Sequence, residues 1–568
     1  MSSPSRASHV DSSSSREGET EESRETERGQ DYRSMGLLAL KRELKRNHGR
    51  GQSDDGSAAS SLAKRNRSPC QQNDNSRPQK EKDDDSHGGK KARYIMAPDL
   101  PEEIWHHIHS LVPMRDAARA ACVSRSFLNS WRCHPNLTFT DETMCSKETL
   151  LKGTTDPNYR RNIREYNNNI DCILEKHRDV GVKTFELEFY GPYNTKYYNR
   201  LNNWLQIAIT PVMEKLTLTL SSGKAKYEFP CSLLSDRSGN MIRHLDLANC
   251  ILHPTVNLNL RCLIVLVLYE VRITGGELGC LLSNSFGLEK LTLLHCHDMI
   301  RLEVPCLLQR LCHLEVFECP GLQVIENKAP NISFFEYTGD EVVQLSLGES
   351  LQVKCLKLGY RSAIGHAIDK LPSSVPNLET LIVISPSEIV NAPMIPSKFL
   401  HLKTLSITMS RWWSLSMEYD FLSLVSFLDA CPSLETFALF VSQFSSCKYD
   451  LFVGDPSTLR QMPEHQHDKL KSFQITGFCP QKSLVELTRH ILESSMSIKC
   501  PILDTIRVNH RCFGNISRKC STLDKAYIKE ACESIVDKDI HSRGNSIYNT
   551  VTCSGALQPV SCFVKFRG

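Results

Sequence analysis

The sequence lacks the signatures of several large protein classes. Its 23 cysteines include no two that stand three positions apart. The C-x-x-C pair of zinc ribbons, RING fingers and thioredoxin-like centres is therefore missing. No apolar run approaches the ~20 residues that span a bilayer, and the longest, Cys262–Val271, is broken by Glu270. Met1–Thr20 is Ser-rich and charged with no apolar h-region, so no signal peptide is expected. The expectation is an intracellular chain in the nucleus, the cytoplasm or both, with no membrane partner. Its cysteines would be reduced, small buried side chains. Aromatics make up only 7% of the chain, and 68 basic against 65 acidic residues leave a net charge of +3. That excludes a polycation that coats nucleic acid, and no direct nucleic-acid partner is expected.

Catalytic motifs are missing as well. There is no Gly-x-Ser-x-Gly, no Walker loop and no kinase set. The expected catalytic residues are none, and no cofactor and no metal are expected. Two groups have ligand-type side chains. His295, Cys296, His297 and Asp298 alternate across a strand end and so diverge, while Glu464, His465, His467 and Asp468 sit in a polar loop after Pro463. Neither has a distant matching pair at zinc spacing.

Residues 1–93 hold 19 Lys/Arg and 16 Asp/Glu, and the remaining 49 of each sign cancel. This stretch is poor in apolar side chains, so it cannot offset its ordering entropy and reads as a disordered tail. Its basic clusters, such as Lys41-Arg42 and Lys64-Arg65, are compatible with nuclear import or with a merely solvated tail.

Order is expected from Ala97. Asp99 and Glu102 have capping-box spacing, and Pro101 sits where a missing N–H costs little. Ile104, Ile108 and Leu111 share one helical face until Val112-Pro113 ends the helix. Asp116 can cap a second helix, and Phe127, Leu128 and Trp131 mark a third. Three short helices bury little surface, so such a module docks on something or caps the next domain.

From about 182 to 510 the unit apolar-x-x-apolar-x-apolar recurs thirteen times, beginning with VKTFEL (182–187) and MEKLTL (213–218) and ending with LKSFQI (470–475) and LDTIRV (503–508). A central spacing of 21–25 residues falls in the leucine-rich-repeat range. One short strand cannot bury itself, so neighbouring units must stack into a continuous core. Cys250, Cys296 and Cys319 follow strands, where a small side chain can meet backbone groups. Helical spacing in Ile163–Leu174, Trp204–Ala208 and Leu278–Leu282 predicts a helical convex side.

The module resembles an F-box: Leu100-Pro101, Ile104, Ile108, Leu111, Pro113, Asp116, Val123-Ser124-Arg125 and Trp131 follow that pattern, with Phe127 near where a Trp often follows Ser-Arg. From Ala97 onward the chain resembles a plant F-box/leucine-rich-repeat protein of the grass type, with HPNLTF at 134–139 and CLLSNSF at 280–286. Residues 468–510 are similar to its FBD-type region through Leu470, Phe478, Leu484, Leu487, Ile491 and Leu503.

The expected fold class is α/β. A three-helix F-box (97–140) and a helical linker (141–181) precede an irregular leucine-rich-repeat solenoid (182–467). FBD-like terminal repeats (468–510) and a C-terminal helix and tail (511–568) follow.

The resemblance implies a non-catalytic substrate-recognition subunit of an SCF (cullin–RING) ubiquitin ligase, partnered by a Skp-type adaptor, a cullin and a protein target. Leu100, Pro101, Ile104, Ile108, Leu111 and Pro113 would bind the adaptor. On the concave strand face, Tyr269, Leu294, Phe317, Ile382 and Ile384 are the candidate target-binding residues, since exposed aromatics and aliphatics anchor partners. The alternatives are a repeat scaffold with no role in ubiquitin transfer, and a small-molecule receptor. The second is disfavoured because the face offers few cations, chiefly Lys357 and Arg507.

Overall fold

The computed structural model describes most of residues 101–504 and the pair Val564–Lys565. The expected tail 1–93, residue Leu100 and nearly all of 505–568 lie outside the described residues.

Three helices open the described chain: α1 (Glu102–Ser110), α2 (Met114–Ala121) and α3 (Arg125–Arg132). Pro101 and Pro113 stand immediately before α1 and α2 without a side-chain cap bond. The expected capping role of Asp116 is therefore corrected. Because the cap position is Pro113, three residues earlier, Asp116 lies inside the first turn and pairs with Arg119 at 3.0 Å.

Strand β1 (Asn136–Phe139) follows α3 directly. The repeat then supplies β2 (Thr184–Phe189), β3 (Lys215–Leu220), β4 (His244–Ala248), β5 (Val265–Tyr269) and β6 (Lys290–Leu294). Next come β7 (Arg301–Val304), β8 (His313–Phe317), β9 (Val324–Asn327), β10 (Phe334–Thr338), β11 (Gln344–Ser346) and β12 (Cys355–Gly359). The last are β13 (Thr380–Ser385), β14 (Thr404–Met409), β15 (Thr436–Val441), β16 (Ser472–Thr476), β17 (Ile502–Asp504) and β18 (Val564–Lys565).

Fifteen of these strands form one sheet in sequence order, passing over β7, β9 and β11. It is parallel throughout except for the final antiparallel pair β17–β18. All thirteen repeat units contribute a strand. For the last, LDTIRV, the strand is Ile502–Asp504, and residues 505–510 lie outside the description.

Register explains why the repeat is legible. Successive side chains point to opposite faces, and an in-register parallel ladder stacks equivalent residues. Leu245, Leu266, Leu291 and Leu314 are paired neighbours, and the row continues through Phe335, Leu356, Leu381, Leu405, Phe437 and Phe473. All of them are buried. The alternate residues form the half-buried open face.

The opposite layer departs in part from the expected helical side. Helices α4 (Tyr159–Lys176), α5 (Thr195–Ala208), α6 (Gly275–Ser283), α7 (Ala363–Ser374) and α8 (Lys482–Ser494) occupy the longer connections. Between β6 and β12 a parallel three-stranded sheet, β11-β9-β7, replaces helices. Strands there begin only 21–23 residues apart, and the alternating segments RLEV and VIEN continue the strand period into the second layer. Among the described residues no helix is long and apolar enough to cross a membrane.

Candidate functional site: an outward helix face and an open sheet face

The first site is made by α1. Its inward side is aromatic: Trp105 and His109 both pack against Phe127 of α3, with ring centroids 4.9 and 5.0 Å apart. Its outward side is aliphatic. Ile104, Ile108 and Leu111 fall on one helical face and are 45%, 36% and 73% exposed. Val123, between α2 and α3, is 79% exposed. Pro101 and Pro113 are exposed at the two ends of this helix. The helical spacing expected for these residues is present, and the face they form is left open to solvent rather than used as core.

The helices are seated on the sheet. The N–H of Asn136 donates to His134 Nδ1 at 3.2 Å, which leaves His134 Nε2 as the donor to Val112 O, also 3.2 Å away. Burial lowers the pKa of His134, in keeping with this neutral tautomer. Asn136 Nδ2 donates to Ser110 O, and the buried Met114 packs into the common core. At the other end of β1, Tyr166 of α4 donates to Phe139 O at 2.6 Å. The segment expected as a helical linker thus contains a helix fastened directly to the first strand.

The second site is the open face. Tyr269, Leu294 and Phe317 are in register across β5, β6 and β8, and all three are half-buried. Ile382 and Ile384 also point to this face but lie further along, on β13. Lys357 is not free, because its Nζ pairs with Glu336 Oε1 at 2.7 Å. Arg507 lies outside the described residues. Glu315 accepts from Lys290 Nζ at 3.1 Å, from Thr292 Oγ1 at 2.9 Å and from His313 at 2.5 Å. Burial alone would raise its pKa, but the His313 hydrogen bond and the Lys290 charge outweigh it and bring it to about 2.

Three residues that the strand pattern did not single out for binding stand at the rim where β5, β6 and β8 end: Glu270, His295 and Glu318. Each follows the last strand residue by one position and has positive φ, at 50°, 49° and 45°. His295 also stands out in the sequence as a ligand-type side chain; for Glu270 and Glu318 the signal is positional only, one step past the repeat motif. Of the ligand-type group around His295, the Cys296 thiol is buried and donates to Leu268 O at 3.5 Å, while Asp298 bonds Arg272 at 2.8 Å. These side chains go to separate partners. Cys319 is placed like Cys296, with its thiol toward Leu293 O and Phe317 O. This is the backbone-facing role expected for such cysteines.

Short helices seated on the first strand of a long parallel ladder define an F-box followed by a leucine-rich-repeat domain. The F-box domain model matches residues 98–138. The family model described as the At1g61320/AtMIF1 LRR domain matches residues 173–543, and the chain belongs to that family. The segment that resembles an FBD region lies within the second match. No curated protein matches the chain significantly. This domain pair is typical of non-catalytic adaptor proteins, and F-box domains generally bind Skp-type adaptors.

Proposed function

We propose that the chain is the substrate-recognition subunit of an SCF (cullin–RING) ubiquitin ligase. The observation that carries this reading is the solvent-open aliphatic face of Ile104, Ile108 and Leu111 on the first F-box helix. Apolar side chains aligned on one helix face, with aromatic packing behind them, suit a partner helix or groove. Leu100, Pro101 and Pro113 would complete the adaptor contact. The open sheet face, with Tyr269, Leu294, Phe317, Ile382 and Ile384, would hold the target. The chain would contribute no covalent chemistry. It would raise the effective concentration of target lysines near the charged conjugating enzyme.

The test is co-purification of the full chain with a Skp-type adaptor, beside Ile104→Glu and Ile108→Glu variants. Capture by the wild type and loss in variants of unchanged melting temperature support the reading. Failure of the folded wild type to capture the adaptor would overturn it. A scaffold without ubiquitin transfer is the second reading, favoured by the direct seating of the helices on β1 as a cap. The same failure of capture would establish that alternative.

A further inference from the structure

The open face is chemically uneven, and the unevenness points to the kind of target it suits. His295 stands edge-on to both Tyr269 and Phe317, with ring centroids 5.8 and 5.6 Å apart. Together with Leu294, these rings make an aromatic platform. Glu270 and Glu318 flank His295 along the same ladder: the N–H of Glu270 bonds Leu294 O, and that of His295 bonds Phe317 O, each at 2.8 Å. Glu270 accepts from the Tyr269 hydroxyl at 2.9 Å, and Glu318 lies 3.5 Å from the His295 ring nitrogen. One row below the platform, β4, β8 and β10 contribute Asp246, Glu315 and Glu336.

Charge complementarity selects the occupant. These five carboxylates face two ammonium groups, Lys290 on β6 and Lys357 on β12, which are engaged by Glu315 and Glu336, together with the imidazoles of His295 and His313 beside Glu318 and Glu315. The chain as a whole carries +3, so the acidity is local. An aromatic face attracts a cation through its quadrupole, and a carboxylate at its edge adds a charge-assisted hydrogen bond. A carboxylate-bearing partner would meet like charge. The positive φ of Glu270, His295 and Glu318 is least costly for glycine, yet this chain places long polar side chains there.

We propose that this face recognises a basic segment of a target protein, with Lys or Arg interleaved with apolar residues. One cationic head would seat on Tyr269, His295 and Phe317 between Glu270 and Glu318. The inference rests on the reading of the open face as the target-binding surface.

The test is selection of a displayed random dodecapeptide library on the full chain, in parallel with the Glu270→Gln/Glu318→Gln double variant, in 150 mM salt as on the order of physiological. The expected result is enrichment of sequences with net positive charge and apolar residues. Synthetic peptides from that set should bind the double variant at least about tenfold more weakly, as about 1.4 kcal/mol corresponds to tenfold. Three results would overturn the proposal: neutral or acidic winners, no enrichment, or equal binding by a double variant of unchanged melting temperature. Adaptor capture by the same wild-type preparation separates the two readings. If capture persists, only the basic-target inference fails. If capture is lost as well, the receptor reading fails with it.

Discussion

Arg460 is bound to Glu486 by both its backbone and its side chain: its N–H donates to Glu486 Oε1 and its Nε to Oε2, each at 2.9 Å. Glu486 is on α8 and its side chain is fully buried. The same guanidinium forks onto Asp420 at 2.7 and 2.8 Å. One residue thereby ties α8 to the loop before β15. Removing one partner of a buried pair leaves an uncompensated charge, at a cost of about 3–5 kcal/mol. Arg460→Ala should therefore destabilise the C-terminal repeats by about 3 kcal/mol in urea unfolding. Arg460→Lys should recover only part of this, because an ammonium cannot fork. A loss below about 1 kcal/mol for the alanine variant would show the pair to be dispensable.

Glu315 links the open face to pH. Its carboxyl is held at about 2 in the folded chain against an ordinary 4.5. The unfolded state therefore binds the proton first as pH falls. The stability that Glu315 contributes is fully present above about pH 4.5 and is lost as pH drops toward 2. The shift corresponds to at most about 3 kcal/mol. Melting curves between pH 6 and 3 should be flatter for Glu315→Gln than for the wild type. Parallel curves would mean that the Lys290 and His313 contacts contribute nothing in solution.

Two kinds of glycine should respond oppositely to alanine. Gly477 has φ +80°, and a Cβ there would lie 2.0 Å from Val441 O. Gly477→Ala should cost more than about 1 kcal/mol, because neither the backbone angle nor the neighbouring carbonyl can yield cheaply. Gly279 is inside α6, and a Cβ there would meet nothing within 4 Å. Gly279→Ala should raise the melting temperature, by about 0.5–1 kcal/mol of helix propensity. Thermal scans of the two single variants are sufficient to check both signs.

Phe437 and Phe473 stack across β15 and β16 at 5.9 Å with an interplanar angle of 8°, both fully buried. Phe437→Ala should cost about 3–5 kcal/mol through lost burial and the cavity left behind. Nearest-neighbour stacking should confine the damage to the C-terminal end of the ladder, as read by hydrogen exchange. Equal loss of protection at β2–β5 would contradict the repeat-by-repeat picture.

Much of this architecture was legible because a parallel ladder repeats its own chemistry. Leu245, Leu266, Leu291 and Leu314 are spaced in the sequence as they are stacked in space, so periodicity located each strand. The faces of α1 were legible for the same reason, since Ile104, Ile108 and Leu111 keep helical spacing. Whether that face would be core or surface was not legible. The answer depended on Trp105 and His109 packing on Phe127 from the other side. Strand β1 and the second sheet β11-β9-β7 were not legible in the repeat. Their segments are short and carry no full repeat unit, and only the neighbouring layer makes them strands.

By itself the sequence determined the alternation of buried and open residues, the thirteen repeat strands and the helical start, because these follow from local period and apolar burial. The tertiary structure decided which groups meet across repeats: Glu270, His295 and Glu318 on one rim, Glu315 between Lys290 and His313, and Arg460 on Glu486. Apart from the His313–Glu315 contact within β8, these meetings join residues more than 20 positions apart, and only the ladder register and the path of the connections bring them within hydrogen-bonding or ring-contact distance.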